Sequence, residues 1–177
     1  MKAQRGMTLI ELLVVVAIVS ILSAIAAVNY HDATVRSKLA RVNSDIRTMA
    51  GALAMYRVDQ GAYPAAAIGD FQLINPLVVL TSPVGYLTTV PLDPFGEASY
   101  DFAPGLRLWG YSYKDSVTTS VGMPADTYGE IWRKNPSFKY MIHSAGPNKV
   151  WDVTPYVGYD PTNGTVSRGD ITRFGPM

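Results

Sequence analysis

The sequence predicts an α+β fold in which one long N-terminal helix, membrane-spanning and then amphipathic, packs on a small antiparallel β-sheet. Three observations carry that prediction. Leu12–Val28 is a run of seventeen residues in which only Ser20 and Ser23 have polar side chains. Beyond His31, apolar residues recur at Val35, Leu39, Val42, Ile46, Met49, Leu53 and Tyr56, at spacings of 4, 3, 4, 3, 4 and 3, the stripe of one helix face. The twelve Pro, fifteen Gly and eleven Tyr fall mostly after residue 60, which points to short strands and turns there.

The apolar run comes first. At ~1.5 Å per residue a helix of seventeen residues is roughly 25 Å long, close to the hydrocarbon thickness of a bilayer. Glu11 stands at its leading edge, and a carboxylate there calls for a specific partner. Lys2 and Arg5 supply a basic start. A secretory signal has such a start and a late small-residue cleavage site, which Ser23-Ala24-Ile25-Ala26 imitates, but its apolar core is shorter and Glu11 is out of place in it. A plain anchor, with Lys2 and Arg5 held inside, is a second reading.

From Val35 to Tyr56 the intervening positions carry Arg36, Lys38, Arg41, Asn43, Ser44, Asp45 and Arg47. The helix therefore continues without a break and lays its stripe on a globular body rather than forming a coiled coil, since the stripe is under four heptads long. Gly61 and Pro64 end it. A short helix is expected around Asp70–Leu80. Gly85 to Gly96 reads as extended and then sharply turned. Ala98–Ala103, Leu106–Lys114 and Ser137–Ser144 have the aromatic and alternating content of strands. Residues 115–136 are an excursion broken by Gly122, Pro124 and Gly129.

Charge and composition bound the function. Lys+Arg 15 against Asp+Glu 14 gives a net charge of +1, too balanced to embrace a nucleic-acid backbone. Catalysis finds little support. His143 and Ser144 are adjacent in a strand, so their side chains point to opposite faces, a poor geometry for a base and its nucleophile. His31 sits near the membrane boundary. No phosphate-cradling glycine loop and no Cys/His cluster occurs, and the chain has no Cys.

The junction Gly6-Met7-Thr8-Leu9-Ile10-Glu11, followed by the long apolar helix, resembles the processing site of type IV pilins and type II secretion pseudopilins. Tyr63-Pro64, Gly85-Tyr86 leading to Pro91-Leu92-Asp93-Pro94-Phe95-Gly96, and Ser144-Ala145-Gly146-Pro147-Asn148 extend the likeness through most of the chain. In that order they are similar to the G-type major pseudopilins of type II secretion. The resemblance implies a pilin-like fold, cleavage after Gly6 by a prepilin peptidase and methylation of the new amino terminus at Met7. Loss of Lys2 and Arg5 leaves 13 basic against 14 acidic side chains. Met7 and Glu11 are four apart and share a helix face, so the new amine can pair with Glu11 in its own chain or a neighbour. Two departures stand out: Met7 where the family favours phenylalanine, and Val28 where many members have proline.

The resemblance further implies three segments: a leader 1–6, a transmembrane and filament-core segment 7–30, and a periplasmic domain 31–177. It implies assembly with copies of itself into a pseudopilus that drives protein export. The prepilin peptidase, other pseudopilins and the inner-membrane secretion platform are the implied partners. It also implies calcium in the C-terminal loop, with Asp160, Asn163 and Asp170 as candidate ligands. Calcium takes six to eight oxygens, and the run Tyr159–Ile171 is rich in them, though no EF-hand pattern is present. Where the family often has two adjacent acids, this chain has Gly169-Asp170, so one ligand is missing, with Asp160 and Asn148 as replacements. The same residues are also turn formers, Asn163-Gly164 above all. The rival readings are a type IV pilin or minor pilin, and a monomeric membrane-anchored binding module that uses the 115–136 excursion.

Overall fold

The computed structural model describes residues 7–66, 76–100, 107–117, 132, 134–152, 156–162 and 167–176. The helix α1 runs from Leu9 to Gln60, 52 residues, unbroken through Val28. The chain divides into two compact units, with the boundary between Ser37 and Lys38. In the first unit the apolar side chains of Leu9 to Val28 are exposed. Ser20 donates its hydroxyl to the Val16 carbonyl at 2.7 Å, so it presents no unpaired donor to an apolar medium.

In the second unit α1 buries Val42, Ile46, Met49 and Leu53, the interior of the predicted stripe. Ala50 and Ala52, which the stripe did not include, are buried beside them, while Leu39 and Tyr56 at its ends are half-buried. The helix stops where expected. Gly61 adopts a left-handed φ of 76° and its N–H reaches the Arg57 carbonyl at 2.8 Å, a glycine cap that a residue with a Cβ reaches only at a cost.

Among the described residues six strands follow: β1 Glu97–Tyr100, β2 Arg107–Trp109, β3 Ser112–Asp115, β4 Tyr140–Ser144, β5 Val150–Trp151 and β6 Ile171–Gly175. They form two three-stranded sheets. In one, β4 lies between β3 and β6, all antiparallel. In the other, β1 pairs antiparallel with β2 and parallel with β5. The first carries the core: every residue of β4 is buried, as are Tyr113 and Ile171 on its neighbours, with Trp151 from β5.

Two expectations need correction. The single strand predicted over Leu106–Lys114 is two strands in different sheets. Gly110, at φ 93°, turns the chain between them, a conformation that breaks strand pairing and suits glycine alone. The predicted Ser137–Ser144 strand begins only at Tyr140, because a turn closed by Phe138 N–H on the Asn135 carbonyl at 3.1 Å precedes it. Near Asp70–Leu80 the described residues hold one short 3-10 helix, Pro76–Leu80; the rest of that expectation, and most of the 115–136 excursion, lies outside the described residues. Two elements, β5 and β6, were not anticipated.

Long side chains tie the connections to this frame. Tyr113 donates its hydroxyl to the Pro64 carbonyl at 2.9 Å, and Asp115 accepts the Ala66 N–H at 2.6 Å. Tyr86 stacks edge-on against Tyr56 and donates to Asp59 at 2.7 Å. Tyr111 likewise reaches Asp45 on α1 at 2.9 Å.

Candidate functional site

The N-terminal site begins with two residues of the predicted junction. Gly6 lies outside the described residues; Met7 is exposed just ahead of α1. Thr8 and Glu11 form a reciprocal capping box. Glu11 Oε2 accepts the Thr8 N–H at 2.7 Å and the Thr8 hydroxyl at 2.8 Å, and Glu11 N–H donates to Thr8 Oγ1 at 3.3 Å. Helix termini leave their first N–H groups without intrahelical partners, and this arrangement satisfies two of them. Thr8 as the carboxylate's partner escaped the sequence reading, although its Thr-x-x-Glu spacing carries the signal. Behind the cap stands a helix long and apolar enough to cross a membrane, by length and composition. Its exposed side chains need either lipid or other helices.

The second cluster joins β4, the turn after it, the end of β5 and the segment leading into β6. Asp170, 1% exposed, is engaged from two sides. His143 Nδ1 lies 3.2 Å from its Oδ2, and the Asp152 N–H lies 3.2 Å from its Oδ1. Asp152, also 1% exposed, takes Arg168 Nε on Oδ1 at 2.6 Å, with Asn148 Nδ2 at 2.7 Å and Gly169 N–H at 2.9 Å on Oδ2. Burial pushes the Asp170 carboxyl up, with His143 opposing, and pushes the His143 imidazole down, with Asp170 opposing. The His143 ring packs edge-on against Trp151, 4.6 Å between centroids.

Of the expected calcium ligands, Asp170 is therefore deep in this network. Asp160 is exposed and closes a local turn, its Oδ1 accepting Thr162 N–H at 2.8 Å and the Thr162 hydroxyl at 2.6 Å. Asn163 lies outside the described residues. Among the described residues no three His, Asp or Glu side chains are grouped so as to hold a metal ion. Asp152 and Arg168 escaped the sequence reading, since nothing in their local spacing sets them apart from surface charges. His143 and Ser144 are not a base and its nucleophile: His143 engages Asp170, whereas Ser144 Oγ accepts the Gly146 N–H at 3.2 Å.

A capped, exposed apolar helix whose second half packs on a small antiparallel sheet defines a pilin-like subunit. Residues 1–27 match the prokaryotic N-terminal methylation motif, and residues 29–111 match the family described as type II secretion system (T2SS), protein G. The chain is 35% identical over 111 residues to type II secretion system core protein G of Pseudomonas aeruginosa, covering 60% of this chain and 78% of that one. The Klebsiella pneumoniae protein of the same name is 31% identical over 110 residues, 59% of this chain and 79% of that one. A fimbrial protein, EcpC of Eikenella corrodens, is 30% identical over 132 residues, 71% of this chain and 86% of that one. No solved structure matches. The chain belongs to the type II secretion system protein G family, the major pseudopilins of that machinery, which are structural and not enzymatic. Its N-terminal methylation motif implies peptidase processing and partners within the secretion system, and its apolar helix is typical of a prepilin anchored in the inner membrane.

Proposed function

We propose that this chain is cut after Gly6, methylated at Met7 and polymerised through α1 into a periplasmic pseudopilus that drives protein export across the outer membrane. The observation that carries the reading is the exposed apolar face of Leu9–Val28 behind the Thr8–Glu11 cap. In lipid that face is satisfied by acyl chains. On leaving the membrane it is satisfied only if neighbouring helices replace them, so extraction and assembly are one coupled step. Cleavage frees a cationic amine at Met7, one helical turn from Glu11. That amine competes with Thr8 for the carboxylate, within the chain or across to the next subunit, and in a low-dielectric filament core a charged pair is much stronger than in water.

The test is intact mass and N-terminal sequencing of the membrane-extracted protein, with and without a prepilin peptidase, followed by cysteine cross-linking along α1. A methylated Met7 terminus and a cross-linked ladder that collapses in Glu11→Ala support the reading. An intact Met1, or a cut near Ala24, sinks it and leaves an anchor or a secreted domain. The fimbrial relative favours one second reading, a type IV pilin. Loss of exoprotein export on deletion of the gene, with surface pili intact, separates the two.

A further inference from the structure

Calcium is implied by the family for the C-terminal loop, and the side chains described there do not fit it. A calcium ion needs carboxylate oxygens that point at one position and are free to coordinate. Here the two buried carboxylates are already committed to protein donors. Asp152 accepts from Arg168, Asn148 and Gly169, and Asp170 accepts from the Asp152 N–H and lies against His143. A dication placed on Asp152 would have to displace a guanidinium that sits 2.6 Å from its Oδ1.

The backbone makes the same point independently. Gly169 stands where the family resemblance implies the first of two adjacent acids. Its φ is 111°, and a Cβ built on it would lie 2.6 Å from the Gly158 carbonyl oxygen. An acidic side chain is thus excluded from that position by the path of the chain, and the Gly169 N–H instead donates to Asp152. The neighbouring Gly146, at φ 69°, brings the turn after β4 against Gly169: a Cβ there would lie 3.1 Å from the Gly169 carbonyl oxygen. The two chain segments therefore meet backbone to backbone, with no room left between them for a ligand side chain.

We infer that the C-terminal loop of this chain is closed by a cation of its own, the exposed Arg168 guanidinium on the buried Asp152, in place of a metal ion. The guanidinium bridges the loop before β6 to the segment after β5, two strands in different sheets, as a shared ion would. Its planar donors match a carboxylate in a way that an ammonium does not.

The test uses the full-length protein in detergent micelles, with thermal unfolding followed by tryptophan fluorescence, to which the buried Trp151 contributes. Melts in millimolar calcium chloride and in excess EGTA are expected to coincide within about 1 °C, because an ion that does not bind the native state cannot shift its midpoint. Arg168→Met is expected to lower the midpoint by several degrees equally in both solutions, and Arg168→Lys to recover part of the loss. A wild-type midpoint that falls by several degrees in EGTA overturns the inference, because a metal then holds the loop. An Arg168→Met midpoint equal to wild type also overturns it. Should Arg168→Met fail to fold, the wild-type pair of melts and the Arg168→Lys midpoint still decide the matter.

Discussion

The apolar residues in the two halves of α1 are of the same kinds and meet opposite fates. In Leu9–Val28 the leucines, isoleucines and valines are exposed throughout, whereas in Val42–Leu53 the apolar residues at helical spacing are buried to near completion. The difference lies in pattern. A segment apolar on all sides has no face to give to a single globular body, so its partners lie outside the chain. A segment with one stripe and charged flanks can satisfy itself within its own fold. The helix thus separates assembly from stability along its length.

A pair of substitutions is the sharpest way to break that contrast. Leu53 is fully buried and Leu22 is 60% exposed. Leu53→Ala removes core contacts and leaves a cavity, and is expected to cost about 2–5 kcal/mol of stability by chemical or thermal unfolding. Leu22→Ala is expected to leave the melting midpoint of the globular body unchanged and to weaken the cross-linked ladder. If Leu22→Ala destabilised the globular body as strongly as Leu53→Ala, the division of labour would be wrong.

A second contrast sets the capped N-terminus of α1, ordered by side chains alone, against the C-terminal loop, where close backbone contact joins a side-chain network. Gly169→Ala tests the backbone side. The new methyl would collide with the Gly158 carbonyl and the residue would have to hold a φ of 111°. A loss of about 1–3 kcal/mol is expected, read as a drop in the unfolding midpoint with methylation and membrane insertion unaffected. A variant as stable as wild type would mean that the loop has slack and that a side chain fits at this position after all.

The contrast between the two regions also marks what was legible in the sequence. The helix could be read almost to the residue, because periodicity is local: spacing gave Val42, Ile46, Met49 and Leu53, and Gly61 with Pro64 gave the end. The junction motif was legible for the same reason, its chemistry lying within six consecutive residues. The two-sheet topology was not, because a left-handed Gly110 splits one apparent strand, and two-residue β5 is too short to carry a pattern. The carboxylate cluster was legible only in part. Asp170 stands out through the acidic position that the family resemblance implies, but its partners His143 and Asp152, with Arg168 behind Asp152, come together only when β4, β5 and β6 are in place. Asp160, the more conspicuous acid in sequence, serves a local turn.

Asp93 offers the smallest and most discriminating measurement. The turn Asp93-Pro94-Phe95-Gly96 holds the buried Phe95, with the Phe95 N–H on Asp93 Oδ1 at 2.9 Å and the Gly96 N–H on the Asp93 carbonyl at 2.9 Å. Burial raises the Asp93 carboxyl above its ordinary 3.8, opposed by the Ser144 hydroxyl, the Phe95 N–H and the charge of His143, and reinforced by Asp45 on α1. The sign follows from linkage. The fold favours the protonated carboxyl, so the stability it contributes is fully present below about pH 3.8, the unfolded value, and is lost as pH rises through the higher folded value. Asp93→Asn keeps one oxygen for the Phe95 N–H and offers an amide donor to Ser144, without a buried charge. The variant is therefore expected to match or exceed wild type in unfolding midpoint at neutral pH, and the difference is expected to shrink as the pH falls through the acid range. A loss of the same size at every pH would show that the turn needs the geometry of a carboxylate rather than freedom from its charge. That would place Asp93 with Asp152 and Asp170 among carboxylates this fold buries by saturating them with donors.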